Sequence, residues 1–126
     1  MTIFLDTNIL LDFLDRREPH YRAAAQIWTL AEQGTVIAHI SAISLNNVFY
    51  ILRKSAGVER AWEAVRTLRS TFDVVPLDIA LLDEAATVAM PDLEDAIQAA
   101  AAVRAGASAI ITRDARGFSA SAVAAI

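Results

Sequence analysis

Three aspartates occupy positions from which an α/β chain could gather them: Asp6, Asp95 and Asp114. Asp6 directly follows an apolar run, Asp114 follows Ile110-Ile111-Thr112 with Arg113 between, and Asp95 falls in the first turn of a helix that opens after Pro91-Asp92. Carboxylates brought together repel one another, and each tends to keep a proton unless a cation neutralises the group. A convergent set therefore argues for a hard divalent ion, Mg²⁺ or Mn²⁺, which takes one or two carboxylates with waters and a substrate phosphate. Such an ion can activate a water and stabilise the charge that develops during phosphodiester hydrolysis, with no nucleophilic side chain required.

Each acid also has a plainer role to weigh. An aspartate at a strand-to-helix junction often only caps the helix, contributing ~0.5–2 kcal/mol. Asp92 reads first as such a cap, which frees Asp95 to act as a ligand; Asp78, after Val75-Pro76-Leu77, reads as another cap, and Glu94 as a solvated residue. His20 and His39 are the only histidines, and neither has the spacing of a zinc pair or of a Ser-His-Asp arrangement. Trp28, Trp62, Phe49 and Tyr50 fall on apolar helical faces and are expected in the core. The four glycines follow helices or sit in the Arg116-Gly117-Phe118 turn, so no glycine-rich phosphate loop is present.

The elements that must position these residues alternate. Apolar runs with β-branched residues at Thr2 to Leu5, Val36 to Ile40, Val74 to Leu77 and Ala109 to Thr112 predict strands. Helical periodicity fills the intervals: Leu10, Leu11 and Leu14 after Asp6, then His20 to Gln33, Ser44 to Ala56, Glu59 to Thr71, and Leu93 to Ala105 stopped by Gly106. Strands alternating with helices imply a parallel sheet, in which sites form beyond the carboxyl ends of the strands. That topology would bring Asp6, Asp95 and Asp114 to one edge.

A chain of 126 residues, 56% of them apolar, is expected to form one domain over positions 1–126 around one continuous core. The net charge of −4, with ten arginines and Lys54 as its lysine, lacks the broad basic field of a non-specific nucleic-acid binder. A bound divalent ion and arginine forks could supply positive charge locally instead. No cysteine is present, and neither a basic leader nor an apolar run of bilayer length is seen, so a cytoplasmic protein with no membrane association is expected.

The motifs together carry a family likeness. Ile3-Phe4-Leu5-Asp6-Thr7-Asn8-Ile9-Leu10-Leu11 resembles the opening strand and helix of PIN-domain nucleases, and the stretch from Ile40 to Leu52 resembles their third-helix region. Asp92-Leu93-Glu94-Asp95-Ala96-Ile97-Gln98, with Ile110-Ile111-Thr112-Arg113-Asp114 and Phe118, resembles their last two motifs. The resemblance implies an α/β, three-layer PIN-like fold, a parallel sheet of four to five strands flanked by helices. It also implies an Mg²⁺- or Mn²⁺-dependent endoribonuclease, the VapC-like toxin of a type II toxin–antitoxin pair, with RNA as substrate, a cognate antitoxin as partner and a homodimer as assembly. Carried over by position, Asp6, Asp95 and Asp114 are the metal-site acids, supported by the polar groups of Thr7, Asn8 and Thr112.

One position departs from the pattern. Where most members carry an acid in the third-helix motif, this sequence has Asn47, whose amide oxygen can coordinate but brings no charge. Asp92 or Glu94 could compensate by turning toward the site, and Asp92 and Asn47 are therefore added as candidate ligands. The alternative function is a catalytically weakened PIN-like module that binds RNA or protein without cutting. A haloacid-dehalogenase-like phosphatase and a phosphorelay receiver also place an aspartate after the first strand, but both need a later lysine, and none follows Lys54. The residues after Phe118 suffice for a final edge strand.

Overall fold

The computed structural model describes residues 1–88 and 90–126. Its elements run β1 (Thr2–Leu5), α1 (Thr7–Leu14), α2 (Tyr21–Glu32), β2 (Ile37–Ser41), α3 (Ala42–Ala56), α4 (Val58–Thr71), β3 (Asp73–Val75), α5 (Ile79–Val88), α6 (Leu93–Arg104) and β4 (Ala109–Ile111). A 3₁₀ turn follows at Ala115–Phe118. The predicted strands and helices are present, with ends shifted by a residue or two where hydrogen bonding rather than hydrophobicity sets the limit. Thus α3 starts at Ala42 because Ser41 caps it, its Oγ accepting from the Ile43 N–H at 3.2 Å.

The four strands form a parallel sheet in the order β3-β2-β1-β4. Successive strand residues face opposite sides, so Ile3 and Leu5 enter a core with α1, α2, α3 and α4 that includes Leu10, Trp28, Leu52 and Phe72. Phe4 points the other way, into a second core with α5 and α6 that includes Leu81, Ile97 and Ile110. Helices on both faces of the sheet give the three-layer α/β architecture expected from the sequence. The edge strand expected after Phe118 is reduced to an isolated parallel bridge between Ile110 and Ala125 beside β4.

Two features of this fold place the site. The chain adds β2 and then β3 on one side of β1 but returns to the other side for β4. The strand order therefore reverses between β1 and β4, where a crevice opens beyond the carboxyl ends of the strands. The second feature is α6, whose Ala96, Ala99, Ala100, Ala101 and Ala102 are all buried. Such small side chains let the helix lie close to the sheet, and Gly106, at φ 70, takes the left-handed conformation that ends it. Among the described residues no helix is long and apolar enough to cross a membrane.

Candidate functional site

Asp6 sits at the N-cap position of α1, yet its side chain makes no cap hydrogen bond. The carboxylate is buried and turned sideways: Gln98 Nε2 donates to Oδ1 at 3.0 Å, and Thr112 Oγ1 donates to Oδ2 at 2.7 Å. Capping is thus not what this aspartate does. Thr112 is itself oriented, because its Oγ1 accepts from the Asp114 N–H at 2.9 Å. One hydroxyl thereby links the acid after β1 to the acid after β4.

Asp92 behaves in the opposite way. It is exposed and caps α6, accepting from the Asp95 N–H at 2.9 Å, as its sequence position suggests. Asp95, half-buried one turn into α6, faces the other acids. Burial first, then the charges of Asp92, Asp6, Glu94 and Asp114, pushes its carboxyl up to about 6 from the ordinary 3.8. Gly117 makes room for this crowding: a Cβ built there would lie 2.8 Å from Asp114 Oδ2 and 3.0 Å from Asp95 Oδ2. The turn closes over two carboxylates only because this position has no side chain.

Asp6, Asp95 and Asp114 line one cleft of about 260 Å³, together with Thr7, Asn8, Asn47, Tyr50 and Glu94. A larger concavity of about 1020 Å³ runs along α2 past Glu18, Tyr21, Arg22 and Gln26. It holds none of the clustered aspartates, so the smaller cleft is the candidate site despite its size.

Three expectations need correction. Glu94 is not a solvated bystander: it is half-buried in the cleft and accepts from Thr7 Oγ1 at 2.8 Å. That bond uses the single Thr7 proton, so in the 2.7 Å contact between Thr7 and the buried Ser44, Ser44 is the donor. Tyr50 and Trp62 are not core residues, being 55% and 51% exposed on α3 and α4, where both meet Phe49 edge-on. Trp28 is buried as expected, stacked on Phe13 with centroids 4.1 Å apart.

Gln98 escaped the sequence reading, although a signal existed. It is the sole polar side chain in an alanine-rich helical run, three residues after Asp95 and so on the same helical face. Asp12 escaped as well: a carboxylate with no exposed surface, it accepts from Arg113 Nε at 2.7 Å and from the same guanidinium's NH2 at 3.1 Å.

The donor set suits a hard divalent ion. Among the described residues, no three acids or histidines close on one point tightly enough to hold an ion by themselves. Asp95 and Asp114 nevertheless reach a common space at Gly117, and each Asp6 oxygen accepts one hydrogen bond, leaving a lone pair on each free. Two carboxylates completed by water are an ordinary arrangement for Mg²⁺.

The family model for the PIN domain matches residues 2–116. The chain belongs to the PIN domain family. No curated protein matches the sequence, whereas solved structures share the fold. VapBC from Salmonella typhimurium, crystallised bound to DNA, has a TM-score of 0.76 at 20% identity over 100% of this chain and 97% of that one. FitAcB from Neisseria gonorrhoeae has a TM-score of 0.75 at 22% identity, over 98% and 96% respectively. Mycobacterium tuberculosis VapC20, described as a toxin that cleaves the sarcin-ricin loop, has a TM-score of 0.71 at 17% identity, over 86% of each chain.

Proposed function

We propose that this PIN domain is an Mg²⁺- or Mn²⁺-dependent endoribonuclease and the toxin of a toxin–antitoxin pair. The observation that carries the proposal is the convergence of Asp6, Asp95 and Asp114 on one cleft at the strand-order reversal, with Asp95 pushed up to about 6 by burial and by the acids around it. These carboxylates, with water completing the shell, would hold the ion, which when bound would supply an activated water and stabilise charge on the scissile phosphate. Gln98 and Thr112 fix the orientation of Asp6 through one hydrogen bond to each oxygen. Thr7, held by Ser44, aims Glu94 into the cleft.

Glu94, rather than Asp92, is the acid that offsets the missing charge at Asn47. Asp92 is committed to capping α6 and exposed, whereas Glu94 lines the same cleft as Asn47. Changing Asn47→Glu should tighten Mn²⁺ binding, and weaker or unchanged affinity would remove Asn47 from the site.

The toxin assignment is supported by the fold shared with the VapBC and FitAcB complexes. It implies a cytoplasmic protein, a homodimer, and a cognate antitoxin partner that relieves growth arrest when co-expressed. The test of the chemistry is cleavage of varied RNAs in Mn²⁺ by the parent and by Asp6→Asn, with EDTA as control. Loss of cutting in both controls is expected. Cutting that survives them would expose a contaminant, and Mn²⁺ or RNA binding without any cutting would favour the weakened binding module that Asn47 suggests.

A further inference from the structure

Asp12 and Arg113 form an ion pair with no part in the chemistry just described, and its position is unusual. Asp12 lies in α1, the helix that follows Asp6, and has no exposed surface. Arg113 stands in sequence between Thr112, which bonds Asp6, and Asp114. The guanidinium grips both oxygens of Asp12 in a fork, at 2.7 and 3.1 Å. The segment carrying Asp114 is therefore fastened to α1 at two points, Thr112 to Asp6 and Arg113 to Asp12. A single attachment would leave a hinge; two on one rigid helix fix the angle at which Asp114 meets Asp6.

We propose that Arg113 and Asp12 are positioning residues that hold the Asp114 segment in register with Asp6, an inference that rests on the nuclease reading of the cleft. An arginine beside an acidic nuclease site invites a different role, a contact to substrate phosphate. The fork to Asp12 opposes it: releasing Arg113 would strand a fully buried carboxylate without a partner. Stability alone does not explain the pair either, because a well-packed apolar pair of similar volume is often as stable as a buried ion pair. A lysine would place a point charge where the fork now fixes a plane.

The experiment compares the parent, Arg113→Lys and the double variant Asp12→Leu/Arg113→Met by thermal melting, Mn²⁺ calorimetry and steady-state RNA cleavage. Parent-like melting is expected for the double variant. Its kcat should fall roughly 10- to 100-fold, the scale of a misplaced ligand, with weaker Mn²⁺ binding and little change in KM. Arg113→Lys should fall between the two. Parent-like kcat and Mn²⁺ affinity in the double variant would overturn the inference; if that variant does not fold, the same result in Arg113→Lys would do so. A raised KM at unchanged kcat would also overturn it, making Arg113 a substrate contact. A parent that neither binds Mn²⁺ nor cleaves RNA would defeat the nuclease reading itself, whereas an active parent with unaffected variants defeats only the positioning role.

Discussion

Asp12 and Asp95 are both carboxylates withdrawn from water, and the fold treats them in opposite ways. Asp12, fully buried, is met by the two-pronged guanidinium of Arg113. Asp95, only half-buried, is met by Asp92, Asp6, Glu94 and Asp114, and its affinity for a proton rises, first from burial and then from these charges. The deeper charge is compensated within the chain and the shallower one is not. A buried ion pair completes itself; a cluster of like charges open to a cleft asks for something from outside. The difference separates an acid paired inside the fold from one left facing a cleft.

The sharpest way to break this comparison is to neutralise each region in turn. Arg113→Ala, which leaves Asp12 bare in the core, should cost about 3–5 kcal/mol of stability in urea denaturation. Asp95→Asn should abolish RNA cleavage while leaving the metal-free protein at pH 7 as stable as the parent or more so. Reversed phenotypes would mean that the roles of the two acids have been exchanged.

Smaller effects sharpen it. Gln98→Leu removes a donor from Asp6 and is expected to lower Mn²⁺ affinity or kcat by about 10- to 100-fold, measured by calorimetry and single-turnover cleavage. For Asp95, the folded chain binds the proton more tightly than the unfolded one, with a carboxyl at about 6 against 3.8. The stability this contributes is complete below 3.8, declines as pH rises and is gone above about 6. The Tm of metal-free protein should therefore lose this component across that window, and Asp95→Asn should flatten the profile. The smallest effect belongs to Asp92→Ala, which removes a helix cap worth ~0.5–2 kcal/mol and should leave Mn²⁺ affinity unchanged. Weakened Mn²⁺ binding there would return Asp92 to the ligand set.

Local rules reached far into this molecule. Asp6 and Asp114 were legible as candidates because each stands just past a short apolar strand, and Asp95 because Asp92 already marked the helix start. The same rules misjudged Tyr50 and Trp62, since helical spacing shows that residues share a face but not whether another layer covers it. They misjudged Glu94 too: its recruitment depends on the Thr7 hydroxyl, 87 residues away in the chain.

The order of strands and helices, the three aspartates at their ends and the likeness to the PIN family were determined by the sequence alone, because hydrophobic period and helix-end chemistry act over a few neighbouring residues. Tertiary structure alone decided that Asp6 turns from its cap position to Gln98 and Thr112, and that Glu94 rather than Asp92 enters the cleft. It also decided that Asp12 meets Arg113 across 101 residues of chain. Those choices turn on which polar groups burial strands together, and burial is a property of the packed layers, not of any segment within them.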